Sequence, residues 1–172
     1  MSSSLTFAFQ LLADYPHVFA KVREEQDRVR GGDFETDVTL ELMDEMVYTQ
    51  AVVKEVLRYR PPVIMVPYMT TQAFPIAEDY EVPSGSIVIP SFWNSLHDPS
   101  VYPDPETFDP ERFMPGGNSQ NADPKHWLVF GSGPHKCIGQ EYVHIHMTAI
   151  IGSAVGLMDW RHERTPDSDK IK

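Results

Sequence analysis

Apolar residues in the first part of the chain recur at helical spacing. Phe7, Leu11 and Leu12 share one face until Asp14-Tyr15-Pro16 interrupts the pattern. Proline disfavours helix at the residue before it and suits the first turn of a following helix, so one helix should end near Tyr15 and a second should begin at Pro16. That second helix is expected to reach about Arg30. Lys21, Arg23, Arg28 and Arg30 weight its later turns as the helix dipole prefers, and Gly31-Gly32 supply the stop. After the acidic stretch DFETDVTLELMDEM, Asp44 is the expected N-cap of a third helix carrying Val47, Ala51, Val52, Val56 and Leu57, ended by Pro61 and Pro62.

The texture then changes. VIMVPYMTTQAFPI and YEVPSGSIVIP are β-branched, short and punctuated by Pro67, Pro75, Pro83, Gly85 and Pro90, which predicts short strands with turns. From Ser91 to Gly117, prolines are too frequent for regular helix or a central strand, yet Trp93, Tyr102, Phe108 and Phe113 offer much to bury. An ordered meander is expected there. A last helix should start near Gly139 and run toward Met158, carrying Tyr142, Ile145, Ile150, Ile151 and Val155. No internal repeat or domain boundary interrupts this order, so residues 1–172 read as one unit, mainly α with small β-sheets.

Composition narrows the function classes. The chain has 172 residues, 41% of them hydrophobic, enough for a real core. Its 14 basic and 25 acidic residues give a formal charge of -11, which argues against a general nucleic-acid or anionic-membrane binder. No apolar run approaches the ~20 residues that span a bilayer, and MSSSLTFAFQ lacks the basic start of a signal peptide. A single cysteine cannot form an intramolecular disulfide, so Cys137 is a thiol, a nucleophile or a metal ligand.

Chemistry concentrates in a few places. Glu55 and Arg58 are three apart in KEVLR and share a helix face, and Glu111 and Arg112 follow in DPERF within the meander. These two carboxylate and guanidinium sets could form a bidentate network pinning the meander to the helix. In LVFGSGPHKCIGQEY, Gly131 and Gly133 permit turns closed to other residues, and Pro134 fixes φ beside them. A cysteine at the start of the last helix should feel the positive end of its dipole, which favours thiolate. Zinc fits poorly, because His144 and His146 are two apart on a helix and no second cysteine is present. A nucleophile needs a base poised on the sulfur, and His135 is only two residues away. A phosphate loop fails where Lys136 replaces its third glycine.

FGSGPHKCIG resembles the haem-binding signature of the cytochrome P450 superfamily, and KEVLR and PERF resemble its helix and meander motifs, in family order. QAVVKEVLRYRPPVIMVPYMTT, PSFWNSLHDPSVYPDPETFDPERF and WLVFGSGPHKCIGQEY are similar to fungal sterol C-22 desaturases of ergosterol synthesis. The resemblance implies a cytochrome P450 fold, C-terminal haem-binding portion, with Cys137 as the axial ligand to the iron of haem b. Phe130 would shield the sulfur, Gly133 and Gly139 would let the backbone pass close to the ring, and His135 would donate to a propionate where arginine is commoner. Glu55, Arg58 and Arg112 would form a buried structural triad. Val63, Ile64, Met65 and Val66 would contact a sterol, unless they are plain sheet core. An NADPH-dependent reductase would be the electron partner, with Lys125 and Lys136 near its docking face. The implied location is the cytosolic face of the endoplasmic reticulum membrane, through an anchor outside this chain.

MSSSLTFAFQ resembles the second half of the long central helix over the distal haem face. The proton-delivery residues are therefore expected upstream of Met1, and TPDSDKIK is expected to stop short of a final strand pair. On that expectation the polypeptide alone gives no thiolate-type carbon monoxide band. The alternatives are another fungal sterol or lipid hydroxylase and a non-catalytic remnant that binds no haem.

Overall fold

Pro16 divides the N-terminal helical run as its missing N–H requires. In the computed structural model, which describes residues 1–118, 126–163 and 165, α1 spans Ser2–Asp14 and α2 spans Pro16–Arg30. Gly31 closes α2 in the left-handed conformation at φ 61°, which favours glycine.

The third helix begins differently from the expectation at Asp44. A short helix, α3 (Leu40–Glu45), precedes the long α4 (Val47–Tyr59), and Thr39 caps α3 by accepting from the Leu42 N–H. The start of α4 is capped from another helix. Glu25 of α2 accepts from the N–H groups of Tyr48 (2.7 Å) and Thr49 (2.8 Å) and from the Thr49 hydroxyl. A buried carboxylate thus satisfies donors that a helix start leaves without partners.

Around α4 the core assembles. Its Val52, Val53, Val56 and Leu57 pack in one cluster with Leu11 and Leu12 of α1 and Val18 and Val22 of α2. Met147, Ile151 and Val155 of α6 (Gln140–Leu157) complete it. A side chain at Gly152 would bring its Cβ to 2.8 Å from Gln26 Oε1, so this glycine leaves room for the buried Gln26 amide between α2 and α6. Arg23 ties down the end of α6 by donating to the carbonyls of Val155 and Met158.

The strands are brief. β1 (Tyr68–Met69) pairs antiparallel with β4 (Ile87–Val88), and β2 (Phe74–Ala77) pairs antiparallel with β3 (Tyr80–Val82). Val82 is the one buried strand residue, so these sheets lie outside the core. Val63, Ile64 and Met65 form no strand beyond a bridge from Met65 to Ser91, and they are 46%, 44% and 49% exposed. The sheet-core reading of this stretch is therefore corrected.

The proline-crowded segment does contain a helix, against expectation: α5 (Phe92–Leu96), whose start Ser91 caps. It fits because the prolines resume only at Pro99. Beyond it the meander buries Tyr102 and Phe108 and turns through a 3₁₀ segment at Pro110–Phe113.

Candidate functional site

The cysteine loop is built from tight turns. After a 3₁₀ turn at Leu128–Phe130, Gly131 (φ 68°) and Gly133 (φ 65°) adopt the left-handed region, as the two-glycine pattern requires. The Cys137 N–H then donates to the Phe130 carbonyl at 2.8 Å, which closes the loop. Gly139 has no such backbone need, at φ -87°. A Cβ on it would sit 3.7 Å from Cys137 Sγ, so its contribution is space beside the sulfur. Cys137 itself is exposed and precedes the Gly139 N-cap of α6 by two residues, outside the first turn where the dipole acts most strongly.

Cys137 opens on a cleft of about 550 Å³, within the range of about 300–1,000 Å³ usual for ligand sites. Phe130 and His135 line it from the same loop, and Val63 and Val66 line it from the stretch after α4. Ile64 and Met65 do not line it; the Ile64 carbonyl accepts from the Phe92 N–H, and Met65 bridges Ser91. Leu57, Phe92 and Val129 line the cleft without any signal in the sequence. Local pattern cannot separate an apolar residue facing a cleft from one facing the core.

Between α4 and the meander, Glu55, Arg58 and Arg112 meet. Arg58 donates to both Glu55 oxygens, from Nε at 2.7 Å and Nη2 at 2.9 Å, and Arg112 Nε donates to Glu55 Oε1 at 3.2 Å. The Asp109 N–H adds a bond to the same oxygen at 2.9 Å. Both guanidinium groups also donate to backbone carbonyls, Arg58 to Leu96 at the end of α5 and to Pro105 and Thr107 of the meander, Arg112 to Pro103, Asp104 and Thr107. Burial pushes the Glu55 carboxyl above its usual range, against the lowering pull of Arg58, the Asp109 N–H and Arg112. Burial also pushes the nearby Tyr102 phenol up to about 12.

Glu111 does not join this network. It pairs at the surface with Lys21 of α2, because the 3₁₀ turn points neighbouring residues to opposite sides. His144 lies against the rings of Trp127 and Phe130, each 5.6 Å away, and so backs the loop. Burial, with Lys54 nearby, lowers its pKa. Lys136 is exposed, Lys125 lies outside the described residues, and of the tail TPDSDKIK only Thr165 is described.

The donor set decides what such a cleft could hold. Among the described residues, no cluster of three His, Cys, Asp or Glu side chains could ligate a metal ion. A metal bound at Cys137 must therefore bring most of its ligands along, as a metal inside a macrocycle does. An apolar cleft with one sulfur in its wall fits that kind of group. Among the described residues no helix is long and apolar enough to cross a membrane.

Comparison with known proteins points the same way. The family model described as Cytochrome P450 matches residues 1–171. The chain is 51% identical to a C-22 sterol desaturase of Aspergillus fumigatus over 171 residues, covering 99% of this chain and 32% of that protein. It is 49% identical to a C-22 sterol desaturase of Saccharomyces cerevisiae, again covering 99% and 32%. The chain thus spans about a third of the length of these curated relatives, 32% in each case. Among solved structures, a retinoic acid bound cyanobacterial CYP120A1 matches with a TM-score of 0.76 and 31% identity, over 88% of this chain and 35% of that one.

Proposed function

The chain belongs to the cytochrome P450 family, and from that premise we propose that it forms the cysteine-ligand side of a sterol C-22 desaturase. The observation that carries this reading is a single cysteine, with no companion metal ligands among the described residues, opening on an apolar cleft. Similarity to named C-22 sterol desaturases supports the substrate class.

In this reading Cys137 would hold haem b as its axial thiolate, with Phe130 beside the sulfur and Gly133 and Gly139 leaving room for the ring. His135 would bond a propionate. When bound, the haem supplies dioxygen activation with electrons from an NADPH-dependent reductase, giving the oxidation that removes two side-chain hydrogens and leaves a 22,23 double bond. The chain's own residues do the rest. The Cys137 N–H bond to Phe130 closes the loop that carries the sulfur, and Val63 and Val66 give the cleft an apolar wall that suits a sterol side chain. The Glu55, Arg58 and Arg112 network holds the meander in place and so keeps the loop's foundation rigid. The reductase and the endoplasmic reticulum membrane are the partners that this reading brings with it.

The test is the reduced carbon monoxide difference spectrum of the protein in its full encoded length. A thiolate-type band that Cys137→Ser abolishes supports the reading, and no band overturns it. Product analysis then separates a desaturase from a hydroxylase: a 22,23 double bond is expected, and a side-chain alcohol as the sole product would refute the desaturase.

A further inference from the structure

A second cleft, of about 490 Å³, opens between α3, α4 and α6. His144 lines it, together with Asp44 of α3, Lys54 of α4 and Glu141 of α6. None of these four lines the cleft on which Cys137 opens. One ring contact joins the two clefts, because the His144 ring lies 5.6 Å from that of Phe130, which lines the Cys137 cleft.

Phe130 is tied in turn to the sulfur's own residue. Its carbonyl accepts from the Cys137 N–H at 2.8 Å. Trp127 closes a triangle of rings, 5.6 Å from Phe130 and 5.6 Å from His144. Its indole N–H is buried with no hydrogen-bond acceptor among the described residues, so ring packing is what places this side chain. Trp127 and Phe130 belong to a loop of short turns, whereas His144 stands on the 18-residue helix α6. The helix therefore supplies the fixed member of the triangle.

We propose that His144 is a positioning residue that, as a neutral imidazole, holds Phe130 and through it the Cys137 loop where the sulfur can ligate iron. This rests on the haem reading above. A proton on the ring would work against that packing. Burial and Lys54 both oppose the charged form, and Glu141 favours it. The loop offers His144 two uncharged rings, while Asp44 and Glu141 bring carboxylates to the second cleft, so an imidazolium is drawn toward that cleft and its water.

The test is the reduced carbon monoxide spectrum of the protein in its full encoded length, read between about pH 7.5 and 5.5. The wild-type thiolate-type band should shrink as pH falls below the ordinary histidine value of 6.5, because the folded-state pKa lies lower. His144→Phe keeps an aromatic ring and takes up no proton, so its band should persist across the range. His144→Ala leaves the two rings without backing and should lose much of the band at the upper end of the range already. A band in His144→Ala equal to that of wild type would overturn the positioning role. A decline in His144→Phe that matches wild type would overturn the part assigned to the neutral imidazole. Should His144→Ala fail to fold, as circular dichroism would show, the comparison of His144→Phe with wild type still decides. Wild type without a thiolate-type band at any pH would sink the haem reading itself, a result distinct from the others.

Discussion

Arg112 shows how much one side chain can carry. It is 2% exposed, and its guanidinium joins Glu55 to the meander carbonyls of Pro103, Asp104 and Thr107. Truncating it leaves Glu55 with one guanidinium and strands buried carbonyls, so Arg112→Ala should destabilise the fold by about 3 kcal/mol. Urea unfolding measures this, and Arg112→Lys should recover only part of it, because one compact ammonium cannot reach the spread of acceptors that the planar guanidinium's five N–H donors meet. His144 carries a pH effect. Burial lowers its pKa below the ordinary 6.5, and burial lowers that of His97 as well. The unfolded chain therefore takes up these protons first as pH falls. Stability present above pH 6.5 should decline from there toward the lower folded-state values. Melting curves between about pH 7.5 and 5.5 should show the decline, and it should be shallower in His144→Gln.

At the scale of elements, α4 is the piece on which the others depend. It contributes Val52, Val53, Val56 and Leu57 to the core and Glu55 and Arg58 to the network, yet no side chain of its own caps its start. Glu25 of α2 does that from outside. Glu25→Ala should cost about 2 kcal/mol, because it leaves the buried N–H groups of Tyr48 and Thr49 without an acceptor. Glu25→Gln should cost less, since one amide oxygen can still accept. Denaturant midpoints of the two variants decide this, and equal stability of Glu25→Ala and wild type would refute the capping role. The small sheets depend little on the core. Their side chains are mostly exposed, and their use is to set the direction of Tyr68 and the cleft rim.

For the molecule as a whole, cleft and core share a boundary. Leu57 and Val129 belong to the core cluster and also line the cleft, so a ligand in the cleft packs against the core itself. Binding should then raise the stability of the whole fold. At free haemin one hundred times its dissociation constant, the expected gain is about 2.7 kcal/mol. Thermal unfolding of the protein in its full encoded length, with and without haemin, measures it. Cys137→Ser should remove most of the gain. An unchanged melting temperature in the wild type would show that the cleft does not take the ring.

Much of this was legible in the sequence because it is local. Pro16, Gly31 and the pair Pro61-Pro62 set helix ends through φ and missing N–H groups, which no distant contact can replace. The glycines at 131 and 133 likewise announce left-handed turns around the cysteine. Spacing alone put Glu55 and Arg58 on one helix face. Only the tertiary structure decided which of two acids in the chain Arg112 meets, that Glu25 caps a helix it does not belong to, and that Val63 and Val66 reach the cleft while Ile64 and Met65 do not. Each of these depends on where separate elements come to rest. A hydrogen bond or a cleft wall between such elements leaves no periodic trace in either one.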